Sequence, residues 1–282
     1  MQVIRLRNPA AFLERAGRFL RRSEAEHNLM LGIGDGARSR LPGAYFAVVE
    51  DAGAVAACAM RTPPYKAVIS VGSDTAIECV ADDLRSAFPD LPQVFGPEPQ
   101  VTQFAALWEK RTGIASIQGM RQQLFELREP RPLDGVPPGR LRPAGEGDLQ
   151  TLLAWGEAFI AEAMPGDPTD VALQVRQRIA ARSLYVWENG ALVSMAAWAG
   201  RNAGGVRVNF VYTPPEHRRH GYAAACVAQL SRQLLAEGQV FCCLIADLSN
   251  ATSNRIYRKI GYRPVSVFSD YVLNCRNGEA LR

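Results

Sequence analysis

One stretch of the sequence constrains the fold more than any other: a strand that runs into a turn of small residues and then opens a long helix. The strand covers residues 206–212, and the turn reads Arg-Arg-His-Gly-Tyr-Ala over 218–223. The first N–H groups of a helix have no partners within it, and the helix dipole places partial positive charge there. Gly221 and Ala223 carry no bulky side chain that would hold an anion away from these amides. The pattern therefore predicts a phosphate-binding site at the start of the helix.

Hydrophobic periodicity and turn residues predict the elements around this turn. They are helices at 146–164 and 170–181, a hairpin at 184–198, a helix at 222–237, a strand at 240–246, a helix ending at Ile260 and a last strand or two reaching Leu273. Ser249 or Asn250 is the expected cap of the helix that ends at Ile260.

The first half of the chain repeats the plan of the second. A hairpin pattern at 45–60 matches the one at 184–198, and the segment from Trp108 to Gly113 echoes the segment from Tyr257 to Gly261. The order of elements is kept, which favours duplication of one unit. We therefore predict an α+β fold (mixed α/β): tandem units, each with a mostly antiparallel central sheet flanked by helices.

A connector rich in proline and glycine, residues 128–142, separates the two halves. Such a composition is typical of an exposed link between compact units. We place the boundary near residue 135, which gives an N-terminal domain at 1–134 and a C-terminal domain at 135–282.

Composition excludes several classes of protein. The hydrophobic fraction of 48% predicts a sizeable core, and the net charge of +4 is too small and too dispersed to indicate nucleic acid binding. The sequence contains no long apolar run and no apolar segment at its N-terminus. We expect a cytoplasmic protein with no membrane partner and no nucleic-acid partner, either a monomer or a homodimer.

The cysteines and histidines do not predict a metal site. Six cysteines and three histidines lack the spacing of zinc ligands, and no CxxC pair occurs. We expect buried free thiols and no metal. Residues 32–36, which read Gly-Ile-Gly-Asp-Gly, are predicted to form a loop, and residues 201–205 a hairpin turn.

The motif and its context resemble the GNAT superfamily of acetyl-CoA-dependent N-acetyltransferases. Arg218, Gly221 and Ala223 fill the superfamily's Gln/Arg-x-x-Gly-x-Gly/Ala signature, although His220 stands where many members have glycine. An Asn-containing segment at 249–254 and Tyr257 follow at the expected distance. The specific likeness covers roughly residues 140–273. In the first half it is one of architecture, without the signature, so we expect a degenerate unit that binds no coenzyme A.

The resemblance implies a set of residues that bind acetyl-CoA, the acetyl-donating co-substrate. The end of the strand at 211–213 would pair with the pantetheine arm, and amides from Arg219 to Ala224 would hold the pyrophosphate. The expected cofactor-binding residues are Val211, Tyr212, Thr213, Arg218, Arg219, His220, Gly221, Tyr222, Ala223, Ala224, Asn250 and Asn254.

The resemblance also implies direct attack of an amine on the thioester in a ternary complex. Tyr257 would protonate the departing thiolate, and a core position is the alternative for this residue. Glu157 and Glu162 are the candidate general bases on the first helical region, and Asp247 is a further carboxylate near the cofactor strand. No covalent nucleophile is required.

The predicted function is acetyl transfer to a primary amine, either on a small molecule or at a peptide N-terminus. A non-catalytic acyl-CoA-binding module stays open, as does transfer of a longer acyl group. Transfer of an aminoacyl group from tRNA would be expected to show a basic tract, which the sequence lacks.

Overall fold

The computed structural model describes residues 1–36, 42–202 and 204–274. These residues form two compact units. Unit 1 contains residues 1–124 together with the strand from Val265 onward, and unit 2 contains Phe125–Pro264.

Unit 1 is a sheet with helices α1–α4, in the strand order β1-β2-β3-β4-β5-β12-β6. Its elements are β1 (Gln2–Leu6), α1 (Pro9–Leu20), α2 (Glu24–Gly36), β2 (Tyr45–Asp51), β3 (Ala54–Arg61), β4 (Ala67–Ile69), α3 (Asp74–Ala87), β5 (Gln93–Pro97), α4 (Glu98–Thr112), β6 (Ile117–Leu127) and β12 (Arg263–Val272). The pairs β1–β2, β2–β3, β3–β4 and β5–β12 are antiparallel, whereas β4 and β5 are parallel.

Unit 2 repeats this plan with the strand order β11-β10-β9-β8-β7. Its elements are β7 (Arg140–Pro143), α5 (Leu149–Ala163), α6 (Val171–Ala180), β8 (Leu184–Asn189), β9 (Ala191–Ala199), β10 (Gly205–Tyr212), α7 (Tyr222–Ala236), β11 (Phe241–Asp247) and α8 (Ala251–Ile260). Neighbouring strands from β7 to β10 are antiparallel, and β10 and β11 are parallel.

The predicted fold class and the predicted duplication are confirmed. Each half of the sequence follows the order strand, two helices, three strands, helix, strand, helix, strand, from β1 to β6 and from β7 to β12, although β12 lies in the sheet of unit 1. The parallel pair falls at the same place in both units. The helices α4 and α8 both close on a glycine with positive φ, 72° at Gly113 and 113° at Gly261, which is a backbone region that other residues rarely enter.

The compact units divide at a different position from the predicted boundary near residue 135. The first break follows Leu124, and the chain returns to unit 1 at Val265. There Phe268–Val272 of β12 pair antiparallel with Gln93–Pro97 of β5. A boundary inferred from proline and glycine marks the connector, but it carries no information on where a distant strand pairs.

The predicted loop at 32–36 is wrong, because α2 continues through Gly36. The reason is packing between helices. A Cβ atom on Gly34 would lie 2.6 Å from the side chain of Leu13 on α1. Glycine at this position therefore allows the two helices to approach closely, and the buried side chains of Met30 and Leu31 add to the stability of α2.

The sheet of unit 2 has an apolar core on each face. Val206 and Val208 of β10 belong to the cluster that packs on α7. Phe210 and Tyr212 belong to the cluster on the opposite face, with α5 and α6. Residues two apart in a regular strand point to the same face of the sheet. Val208 and Phe210 point to opposite faces, so β10 is irregular between them, and this irregularity lies at the candidate site. Among the residues that the structure describes, no helix is both long enough and apolar enough to cross a membrane.

Candidate functional site

The strands β10 and β11 diverge in the middle of the sheet of unit 2. Their parallel pairing runs from Gly205–Phe241 to Arg207–Cys243 and then stops, although both strands continue for several residues. Beyond Arg207, this edge of β10 therefore has backbone groups that are not paired with β11. Such an open edge is suited to hydrogen bonding with an extended ligand.

A bulge in β10 sets the direction of the diverging end. The pairing with β9 is regular up to Asn209–Ala197 and resumes at Tyr212–Met195, with a shift of register between them. Phe210, inside the bulge, has a φ of +54°, which is strained for a residue with a side chain. The one extra residue of the bulge explains the change of face, and it turns Val211 and Tyr212 relative to the rest of the strand.

Ser194 of β9 holds this irregular strand end in place, and sequence reasoning missed it. The Ser194 hydroxyl donates to the carbonyl of Tyr212 over 3.1 Å and lies 2.9 Å from the hydroxyl of Thr213. Ser194 is fully buried. A serine at the centre of the apolar pattern 191–199 is the signal that was available in the sequence.

The predicted phosphate turn has the expected geometry. Arg219 and Gly221 have φ values of +66° and +82°, and Gly221 precedes the first residue of α7. No side chain caps this end of α7. The amides of Tyr222, Ala223 and the residue after them therefore lie at an uncapped helix N-terminus, where the dipole favours an anion.

Arg218 links the turn to the end of β10. Its Nε donates to the carbonyl of Thr213 over 2.9 Å, and its Nη2 forms an ion pair with Glu162 of α5 at 2.7 Å. The Tyr212 hydroxyl lies 3.4 Å from the same carboxylate, and burial and this carboxylate raise the pKa of Tyr212. The structure therefore brings one predicted base, Glu162, to two predicted cofactor residues.

His220 is on the surface of the turn, whereas Tyr222 is partly buried against the apolar cluster of unit 2. The rings of His220 and Tyr222 stack at a centroid distance of 5.7 Å, and the Tyr222 hydroxyl accepts a hydrogen bond from Asn189. His220, at the position of the signature that is often glycine, is exposed to solvent.

The loop after β11 is organised by side chains that bond to its own backbone. Asn250 caps α8 by accepting from the amide of Ser253 over 3.0 Å, which confirms the predicted cap. Asn254 donates to the carbonyls of Asp247 and Leu248, and its Oδ1 is buried without a hydrogen-bond partner. The Asp247 carboxylate accepts from the amide and the hydroxyl of Ser249, so it is engaged within the loop.

Tyr257 lies in the core, one turn from the end of α8. Its ring is 8% exposed and packs at 6.0 Å from the rings of Phe125 and Tyr262. Burial raises the pKa of Tyr257 to about 12. The phenol is therefore protonated at any pH near neutrality, which is the state that an acid catalyst needs.

Glu157 and the cysteines stand apart from this arrangement. Glu157 is exposed on α5. Burial raises the pKa of the Cys226 thiol to about 12, so that thiol is not a reactive nucleophile. Cys58 and Cys242 are buried free thiols as well, Cys243 is also buried, and Cys275 lies outside the described residues. Within the described part of the chain, no group of three or more His, Cys, Asp or Glu side chains is placed to hold a metal ion.

Comparison with known proteins identifies the fold. Residues 186–269, which contain the diverging strands and the turn, match the family model described as FR47-like protein. A GCN5-related N-acetyltransferase from Sphaerobacter thermophilus has 16% identity and a TM-score of 0.61, and the match covers 99% of this chain and 98% of that one. The chain has the GNAT fold.

Two further solved structures agree with this fold. A GNAT-family acetyltransferase from Colwellia psychrerythraea has 10% identity and a TM-score of 0.59, covering 96% of this chain and all of that one (100%). A tandem GNAT protein from the clavulanic acid biosynthesis pathway has 13% identity and a TM-score of 0.56, covering 98% of this chain and 100% of its own. The search of curated proteins finds no match. The predicted resemblance, a tandem GNAT architecture, is thus confirmed at the level of the fold.

Proposed function

We propose that the protein is an N-acetyltransferase that transfers an acetyl group from acetyl-CoA to a primary amine. The observation that carries this proposal is the uncapped N-terminus of α7, which lies directly after the open end of β10. A coenzyme A molecule has two features that match: a diphosphate, suited to the helix N-terminus, and an extended amide-containing arm, suited to a strand edge.

In this proposal the diphosphate accepts hydrogen bonds from amides between Arg219 and Ala224. The left-handed conformations of Arg219 and Gly221 direct consecutive amides toward one side of the turn, which forms an anion-binding concavity. Arg218 adds a cation next to it. Its ion pair with Glu162 is half exposed and is worth little, about 0–1 kcal/mol, so the guanidinium can exchange the carboxylate for a phosphate at small cost.

The pantetheine arm would pair with the unpaired edge at Val211, Tyr212 and Thr213. The thioester then lies between the diverging strands, and an amide of β10 near Val211 can stabilise the negative charge that grows on its carbonyl oxygen. Asn250 and Asn254 support the loop after β11 and are assigned to the same side of the cofactor.

The reaction needs one acid and one base. The amine nitrogen attacks the thioester carbon, the carbon–sulfur bond breaks, and the thiolate takes the proton of the Tyr257 hydroxyl. The ammonium proton of the adduct passes to a carboxylate, either Glu162 or, through water, Glu157. Holding amine and thioester together supplies much of the rate without a covalent intermediate.

The corresponding region of unit 1 is built differently, which supports the proposal that unit 1 binds no coenzyme A. Asp74 occupies the first turn of α3, where its carboxylate repels an anion. A Cβ atom on Gly96 of β5 would lie 2.6 Å from Ile69 of β4. The strands β4 and β5 are therefore in close contact, whereas the corresponding strands of unit 2, β10 and β11, diverge.

The proposal is tested by placing a charge at the turn. We expect Ala223→Glu to abolish coenzyme A binding in a calorimetric titration, because its carboxylate would meet the diphosphate. Ala223→Gln is the matched neutral control for the added bulk, and it should bind coenzyme A more tightly than Ala223→Glu. A glutamate in the first turn of a helix does not destabilise it, so loss of binding is not attributable to unfolding. Gly221→Glu should also abolish binding.

Detection of thiol release with acetyl-CoA and a panel of primary amines then tests catalysis. Binding of coenzyme A without turnover of any amine would favour the non-catalytic module. Faster turnover with longer acyl-CoA donors would favour transfer of a larger acyl group. Unchanged binding in Ala223→Glu would contradict the assignment of the turn.

A further inference from the structure

A partly buried arginine of α6, Arg178, lies next to the point where β10 and β11 separate. The Nη1 of Arg178 donates to the side-chain oxygen of Asn209 over 3.1 Å and lies 3.5 Å from the carbonyl of Trp198. Its Nε is buried and has no hydrogen-bond partner. The guanidinium of Arg178 is 5.2 Å from the centre of the ring of Phe210, which is the residue within the bulge of β10.

A second arginine lies beside it. Arg207 is the last residue of β10 that pairs with β11, so it marks the vertex of the opening. Val206 and Val208 face α7, and strand alternation therefore directs Arg207 to the other face, which also holds Arg178 and the Asn209 side chain. The two cations thus share the face opposite the α7 side.

The electrostatics of this region favour an anion. Burial, followed by repulsion from Arg207, lowers the pKa of Arg178 to about 10. Burial also lowers the pKa of Arg207. Arg178 forms no ion pair with a carboxylate among the described residues, and a buried cation without a counter-ion is costly. A ligand carboxylate would supply the missing charge and a hydrogen-bond acceptor.

We propose that the acetyl acceptor is an amine that also carries a carboxylate, such as an amino acid, and that Arg178, assisted by Arg207, binds this carboxylate. The inference rests on the proposed acetyl transfer. An acceptor held at the vertex from the α5–α6 face directs its amine at a thioester that lies between the diverging strands. Binding and attack are then aligned by a single charged contact.

The test compares matched acceptors. We expect glycine and β-alanine to have kcat/KM values about tenfold or more above those of glycinamide and β-alaninamide, which is the usual scale of a charge-assisted hydrogen bond. Rates are expressed per concentration of neutral amine, because the amide group lowers the pKa of the neighbouring amine. Arg178→Gln should remove the preference, and Arg178→Lys should keep part of it.

A control variant and a binding readout separate the possible results. Arg176→Gln changes an exposed arginine on the same helix and should leave the preference unchanged. Thermal stabilisation by N-acetylglycine, against N-acetylglycinamide, reports the carboxylate contact without catalysis. It should be seen in the unmodified protein and lost in Arg178→Gln.

The inference and the proposed function fail in different ways. Turnover of amines and their carboxylate analogues at equal rates would overturn the inference and leave acetyl transfer intact. Stabilisation by N-acetylglycine that depends on Arg178, in a protein that releases no thiol with any amine, would support the carboxylate site and contradict the acetyl transfer.

Discussion

At the scale of single residues, Tyr257 combines a core position with the proposed role of acid. Burial raises the pKa of its hydroxyl to about 12, which keeps the phenol protonated but makes it a weaker acid than an exposed tyrosine. The phenol then stays protonated well above neutral pH, while its ring is fixed by Phe125 and Tyr262.

We predict that Tyr257→Phe lowers kcat by about 100-fold, as expected for loss of a general acid, with little change in the KM for acetyl-CoA. Steady-state thiol release is the measurement. Tyr262→Phe is the matched control, since it removes a buried hydroxyl that bonds to Ser231, and it should affect stability more than rate. An unchanged kcat in Tyr257→Phe would make Tyr257 a core residue only.

At the scale of elements, the irregular end of β10 needs support that a regular strand does not. The bulge shifts the register of the pairing with β9, which resumes at Tyr212. The Ser194 hydroxyl donates a hydrogen bond to the backbone carbonyl of Tyr212. In the proposed function, a positioning residue of this kind would act on coenzyme A through the strand that it holds.

We predict that Ser194→Ala raises the KM for acetyl-CoA severalfold and lowers stability by about 1–3 kcal/mol, because a buried carbonyl loses its donor. Initial-rate kinetics and urea unfolding are the measurements. Ser231→Ala removes another buried hydroxyl, on α7, which bonds to the carbonyl of Val227 and to the hydroxyl of Tyr262. It should cost similar stability without raising the KM. Equal effects of both variants on the KM would show that Ser194 has only a structural role.

The sequence was informative where local chemistry decides the structure. The helix from Tyr222, the glycine before it, the Asn250 cap and the glycine at 261 all follow from turn and cap preferences that act over a few residues. The turn could therefore be found from the sequence alone, together with the strand before it.

The parts that were missed depend on contacts between distant segments. The loop predicted at 32–36 is helical because α1 packs against Gly34. The positive φ of Phe210 and the vertex at Arg207 arise from pairing with β9 and β11, and no local pattern encodes them. Arg178 was overlooked for the same reason, since only the fold brings α6 to β10.

At the scale of the whole molecule, unit 1 contains a neutral histidine that makes its stability depend on pH. His27 is 1% exposed. Its Nδ1 lies 2.9 Å from the Leu20 carbonyl, and its Nε2 accepts from the Val71 amide over 3.3 Å. Burial lowers the pKa of His27 below its ordinary value. A protonated Nε2 would also face an N–H group.

We predict that the contribution of neutral His27 to the free energy of unfolding is complete above about pH 6.5, the unfolded-state pKa. It is lost as the pH falls toward the lower folded-state pKa. The loss should approach about 1.4 kcal/mol per pH unit in that window. Urea unfolding between pH 8 and pH 5 measures it. The difference between the unmodified protein and His27→Gln should shrink on acidification, whereas His220→Gln, at an exposed position, should follow the unmodified protein. A constant difference would contradict the prediction.

The whole chain should hold one coenzyme A, because the two units share a plan and differ at the turn and at the opening between parallel strands. The most direct test is a crystal structure of the full chain with coenzyme A. We predict one bound molecule, with its diphosphate oxygens about 2.7–3.2 Å from the backbone nitrogens between 219 and 224. A diphosphate bound at α3 of unit 1, or one bound through side chains away from the start of α7, would contradict it.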